Sequence, residues 1–168
     1  MLYPDYGYIS NVPAYVQASG YVCINTSILN VIAYWDNNGL PDLITGTILQ
    51  ARADIEACLV AAGGSGANAS IPGAINSYAT AHGNYYSDVW NIWYPEFFDL
   101  QFEINYGDPC LVGFTTYYGG GHMTTGVGYN IVSGVNYVIV HDNHVSYDVT
   151  IAFSEVDFIA SISILDLY

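Results

Sequence analysis

The stretch Val22-Cys23-Ile24-Asn25-Thr26-Ser27-Ile28-Leu29-Asn30-Val31-Ile32-Ala33-Tyr34-Trp35 decides the fold. Ile24, Ile28, Val31, Ile32 and Trp35 recur at three- and four-residue spacings, which predicts a helix over 23–38, with Gly39 as its stop. A cysteine stands in the first turn of that helix. Unsatisfied N–H groups and the positive end of the macrodipole gather there, an environment that favours thiolate over thiol. A buried cysteine at a helix start is the plain alternative.

Working outward, Thr47 to Ala62 reads as a second helix ended by Gly63-Gly64, and Pro72 to Ala81 as a third with Gly83 after it. Pro95 to Asn105 reads as a short fourth, because Phe98, Phe102 and Tyr106 recur every four residues. The pattern then changes. Cys110 to Thr116, Met123 to Asn130, Tyr137 to Asp142 and Val145 to Ala152 are β-rich runs separated by Gly, Asn or Ser, with Ser161 to Asp166 as one more strand. Helices first and an antiparallel sheet after them is an α+β order, not the alternation of a doubly wound sheet. The expectation is a single domain over 1–168. A helical lobe (about 11–106) packs on a β lobe (about 107–168), with a cleft between them. No internal repeat is visible, and Gly63 to Ser70 is the one low-complexity patch.

Composition narrows the function. Of 168 residues, 52% are apolar and 10% charged, which argues against disorder. One Lys or Arg stands against 15 Asp and Glu, for a net charge of −14; the lone strong cation is Arg52. A nucleic-acid partner needs a basic surface and is excluded, and an anionic membrane surface is disfavoured. No run reaches the roughly 18 apolar residues of a membrane span. The start, Met-Leu-Tyr-Pro-Asp-Tyr, is not an intact signal peptide. Polarity carried by Tyr, Gly, Asn, Ser and Thr, with almost no trypsin sites, nonetheless points to a secreted or cell-surface protein. Of Cys23, Cys58 and Cys110, the last two are either bridged, if the chain is extracellular, or buried as small apolar residues.

Three further residues complete a chemical set with Cys23. His122 follows Gly119-Gly120-Gly121 at the start of a strand, with room around its ring and a pKa suited to taking and returning a proton. Asp142 ends the apolar strand Tyr137 to His141 and needs a partner, which a histidine can supply in a chain this poor in cations. Gln17, six residues before Cys23, offers an amide donor to a developing oxyanion. Individually, each has a plain alternative: a glycine hairpin with an incidental His, or a strand-end Asp facing water.

The set resembles the papain-like cysteine peptidases, and within them the bacterial group of double-glycine leader peptidases and their secreted relatives. Asn11-Val12-Pro13-Ala14-Tyr15-Val16-Gln17 is similar to that group's VP-x-x-x-Q segment, and Cys23-Ile24-Asn25-Thr26-Ser27 to its C-G-P-T-S. Ala33-Tyr34-Trp35 matches its helix end, and Gly107-Asp108-Pro109-Cys110 its turn into an apolar strand. Gly121-His122 with Gly128-Tyr129 matches GH…GY, and Val140-His141-Asp142-Asn143 stands where V-N-D-P occurs. The likeness runs over about residues 11–165. It implies a papain-like α+β fold and a thiol-dependent peptide hydrolase acting on peptides or proteins without a cofactor. Cys23 would be nucleophile, His122 base then acid, Asp142 the orienting group and Gln17 the oxyanion donor.

Two departures stand out. Ile24-Asn25 replaces Gly-Pro after the cysteine, and a bulky Ile there would narrow the approach of a peptide. Asn143 replaces Pro and rivals Asp142 as third member, since papain uses Asn. No metal is expected: His141-x-x-His144 lacks a companion motif, and Asp36-Asn37-Asn38-Gly39 reads as a helix-terminal turn, too short for a calcium loop. An acidic surface predicts attraction of Lys- or Arg-bearing substrates at low salt, and a chain without lysine would be spared by its own preference for basic residues. Two rival functions are a catalytically inactive module of this fold, self-associating as a surface, adhesion or filament subunit through its 15% aromatics, and a transglutaminase-like acyl transferase. Trp90, Trp93 and Tyr94 are assigned to core or lobe packing, with a cleft wall as the alternative.

Overall fold

The computed structural model describes residues 3–64, 66–115 and 120–166. Thr116, placed above at a strand end, and Gly119, placed before His122, lie outside them. The helices are α1 (Cys23–Asn37), α2 (Ile48–Ala61), α3 (Ile71–Ala81) and α4 (Phe97–Tyr106). The strands are β1 (Tyr6–Tyr8), β2 (Tyr86–Trp93), β3 (Cys110–Thr115), β4 (Gly121–Val132), β5 (Val135–His141), β6 (Asp148–Ala152) and β7 (Val156–Leu165). All pairings are antiparallel, in the order β2-β7-β3-β4-β5-β6. β1 pairs with the end of β4 that β3 leaves open. Gly128 makes that approach feasible, because a Cβ there would stand 2.7 Å from the Gly7 carbonyl oxygen.

The period-two alternation of a strand sends neighbouring side chains to opposite faces, and each face has its own core. Leu111 of β3 and Phe158, Ala160, Ile162 and Ile164 of β7 join Ile28, Leu29 and Ile32 of α1 and Ile75 of α3. Cys110 and Val112 of β3, with Ile159 of β7, join Leu100 and Ile104 of α4 on the other face. The fully buried Leu, Ile, Val and Phe side chains of these clusters each contribute about 1.5–3 kcal/mol by leaving water. No helix among the described residues is long and apolar enough to cross a membrane.

The order of elements agrees with the α+β expectation, with four differences. First, the sheet recruits β1 and β2 from the half read as helical. β2 is an edge strand whose Trp90 and Trp93 are exposed, so it shows no buried alternating face. Second, β7 begins at Val156 and not at Ser161, because a bulge at Asp157 breaks the alternation there. Third, β6 begins at Asp148 and not at Val145. The Asp142 carboxylate accepts from the N–H groups of His144 (2.9 Å) and Val145 (3.1 Å) and holds that segment as a loop. Fourth, Phe98, Phe102 and Tyr106 form an exposed stripe, and α4 buries Leu100, Glu103 and Ile104 instead. Cys23, Cys58 and Cys110 are all free, so the bridge between Cys58 and Cys110 does not form: Cys58 packs on the first core and Cys110 lies within the second.

Candidate active site

Two elements carry Cys23 and His122. Cys23 is the first residue of α1, preceded by Val22 as N-cap with no side-chain capping bond. His122 is the second residue of β4, where β4 runs past the start of α1. The Cys23 thiol and the His122 ring line the same cleft and act on each other's titration, and the Met123 N–H points at Sγ from 3.4 Å. Burial by itself would raise the Cys23 pKa. The bonds from His122 and Met123 and the charge of His122 outweigh it and bring the thiol below its ordinary value. The His122 pKa is raised, first by the bond to Cys23, then by the Asp142 carbonyl and charge, against the opposing effect of burial.

The His122 Nε2 lies 2.8 Å from the backbone carbonyl oxygen of Asp142. A carbonyl only accepts, so Nε2 carries a hydrogen and Nδ1 is the nitrogen left to exchange a proton with Cys23. Asp142 therefore meets His122 through its main chain, whereas the expectation was its carboxylate. That carboxylate caps its own loop, as described above. β5 ends at His141 and the chain turns at Asn143 (φ 70°), a residue type that tolerates the left-handed region; this takes the Asp142 carbonyl out of the ladder. The ring is further held edge-on by Phe114 (centroids 5.4 Å) and face-on by His144 (4.9 Å).

Asn143, the rival third member, serves a different purpose. Fully buried, it shares the two hydrogens of Nδ2 among the Met123 carbonyl (2.7 Å), Ser27 Oγ (2.8 Å) and the Cys23 carbonyl (3.2 Å), joining β4 to the first turn of α1. Its own carbonyl accepts from the Gln17 N–H at 2.8 Å. The Gln17 side chain donates from Nε2 to the Tyr21 carbonyl at 2.7 Å, leaving the amide a second hydrogen. The segment bearing Gln17 is also fixed by Arg52, whose guanidinium donates to the Val16 carbonyl (2.7 Å) and Thr26 Oγ1 (2.8 Å). His141 holds the same segment through Nδ1 and the Pro13 carbonyl (3.1 Å), with Nε2 facing Asp148.

The Ile24 departure does not obstruct the site: its side chain is 3% exposed and packs in the core at the cleft floor. Asn25 is buried, donating to the Arg52 carbonyl and Glu56. A cleft of about 360 Å³ opens over Cys23 and His122, walled by Trp93, Phe114, Asp157 and Phe158. Beyond the His122 ring lies a second hollow of about 430 Å³, bordered by His144, Val149, Ile151 and Glu155. Trp93 is thus a cleft wall, 56% exposed, and not a core residue. The sequence reading missed Asp157 at this site, because a bulge leaves no periodic signal; it singled out His144 only within His141-x-x-His144, and nothing in that spacing shows a ring stacked on His122.

The family model described as Peptidase_C39 like matches residues 9–158. Among solved structures, the crystal structure of UfSP from C. elegans is similar in fold, with a TM-score of 0.58 and 13% sequence identity. The match covers 99% of this chain and 35% of that one, so the chain spans about a third of the length of its structural relative. No curated protein matches the chain in sequence. The α+β, papain-like fold agrees with the expectation.

Proposed function

Because the chain belongs to the Peptidase_C39-like family, we propose that it is a cysteine peptidase in which Cys23 is the nucleophile and His122 the general base and acid. The observation that carries this reading is the placement of Cys23, at the N-terminus of α1, and His122 in one cleft, with the Met123 N–H on Sγ, the thiol pKa lowered and the imidazole pKa raised. Sulfur attacks the peptide carbonyl, and the oxyanion receives the Cys23 N–H and the second hydrogen of the Gln17 amide. His122 gives its proton to the nitrogen of the leaving amine as the C–N bond breaks, leaving a thioester on Cys23. Water then attacks the thioester, His122 takes a proton from it, and the thiolate departs as the carboxylic product forms. Asp142 orients the ring through its carbonyl, and its carboxylate holds the loop that presents that carbonyl. The two hollows on either side of His122 give the substrate room on both sides of the scissile bond.

Iodoacetamide mapping under reducing conditions tests the reading. Cys23 takes the label first, since burial raises the pKa of Cys58 and pushes that of Cys110 well above its ordinary value. Cys23→Ala abolishes peptide hydrolysis. Labelling confined to Cys58 or Cys110 would sink the proposal.

A further inference from the structure

The cleft contains a carboxylate for which the described residues offer no counter-charge. Along β7, Val156 is paired with Phe114 and Phe158 with Gly113, so Asp157 is the extra residue of a bulge in the pairing with β3. A bulge beside a reactive centre re-aims a side chain out of the regular pleat, and Asp157 lines the same cleft as Cys23 and His122. Its position is held from three directions. Oδ2 accepts from the Thr115 N–H (2.9 Å) and hydroxyl (2.7 Å), and its backbone carbonyl accepts from the Tyr94 N–H (2.9 Å).

The chain's cations are engaged elsewhere. There is no lysine. Arg52 is committed to Thr26 and Val16, His82 to Asp54 and His141 to Asp148. His122 faces Cys23 and Asp142, with His144 stacked over it. Among the described residues, then, no basic side chain pairs with Asp157. Beside it stands Trp93, packed edge-on against Phe158 at 4.9 Å and half open to the cleft. A fixed carboxylate next to an open indole suits a lysine ammonium or an arginine guanidinium.

We propose that Asp157, with Trp93 beside it, forms the subsite that receives a cationic side chain of the peptide substrate. The proposal rests on the peptidase reading and supplies its specificity. The composition gains a reason as well. A peptidase selecting Lys or Arg endangers its own copies, and this chain has one such residue, which is 5% exposed.

The test uses fluorogenic peptides that differ at a single position, stepped through each site in turn, carrying Arg, Lys, citrulline, norleucine or Glu. At one position, kcat/KM for Arg or Lys exceeds that for citrulline and norleucine by about tenfold or more, and the advantage shrinks with added salt. Asp157→Asn brings the Arg-to-citrulline ratio close to one. Wild-type protein that cleaves Arg and citrulline peptides equally overturns the subsite and leaves the peptidase standing; so does an Asp157→Asn protein that keeps the wild-type ratio. Absence of any cleavage together with an unreactive Cys23 overturns both. Because the Arg-to-citrulline comparison is made on the wild type, it decides the matter even if Asp157→Asn fails to fold.

Discussion

His122 and Asp142 meet through a main-chain atom: Nε2 donates to the Asp142 carbonyl oxygen at 2.8 Å, while the Asp142 carboxylate accepts from the N–H groups of His144 and Val145. The side chain acts on the ring through its charge and through the loop it closes. Asp142→Asn keeps the carbonyl, and its side-chain oxygen still accepts from the same two N–H groups. The variant therefore retains kcat/KM within about tenfold, whereas a triad routed through a carboxylate loses on the order of 10⁴ on the same change. Removing the charge also takes away one of the influences that raise the His122 pKa, so the alkaline limb of activity moves to lower pH. Asp142→Ala loosens the loop and loses more. A kcat/KM pH profile of the three proteins checks both statements.

The coupled titration of Cys23 and His122 sets a window for activity. The lowered pKa of Cys23 and the raised pKa of His122 draw the two titrations towards each other, which enlarges the share of the thiolate–imidazolium pair. Activity falls on the acid side as Cys23 takes up a proton, and on the alkaline side as His122 loses the proton that the leaving amine requires. In His122→Asn the imidazolium charge is lost and burial acts on the thiol with less opposition, so the pH midpoint of Cys23 alkylation rises. Alkylation rate against pH, followed by mass spectrometry of the Cys23 peptide, reads that shift. An unchanged midpoint would detach the histidine from the thiol.

How much of this was legible in the residues varies with the kind of interaction. Cys23 and His122 could be singled out as candidates because a helical period and a glycine-flanked strand start are local patterns. Asp142 could be found as a position, but not as a main-chain acceptor, because side-chain identity says nothing about which atom faces the ring. Asn143 looked like a rival for the same task, and only the three-way donation of its Nδ2 to Cys23, Ser27 and Met123 shows it bracing the helix start. β2 was missed because an edge strand with exposed tryptophans lacks a buried face, and Asp157 because a bulge interrupts the alternation by which strands are recognised.

Arg52 carries the only Lys or Arg charge in the sequence, and it sits behind the site. It is 5% exposed, and its hydrogen bonds go to the Val16 carbonyl and Thr26 Oγ1, with no carboxylate paired to it among the described residues. Arg52→Met strips both acceptors of their donor in a buried setting and destabilises the protein by about 2–4 kcal/mol. Arg52→Lys recovers only part of this, because an ammonium does not reproduce the planar fork that reaches two elements at once. Val16 precedes Gln17, so kcat falls in both variants even at temperatures where they remain folded. Urea unfolding and kcat, measured on the same preparations, separate the two effects.

On the far face of the sheet, Glu103 predicts how stability depends on pH. Its carboxyl is 6% exposed on α4, and burial, reinforced by Asp108 and Asp99 against a hydrogen bond from Ser161, raises its pKa from 4.5 to about 7. The folded state therefore holds this proton more tightly than the unfolded chain does. Its contribution is fully present below pH 4.5 and is lost as pH rises through about 7. Stability declines across that interval by up to about 3 kcal/mol on account of this one group. Glu103→Gln keeps the shape and removes the titration, so it unfolds at higher urea than wild type at pH 8, and the two converge at pH 4.5. Urea midpoints for both proteins across that range test the assignment; parallel curves at every pH would show that the decline arises from the overall negative charge and not from Glu103.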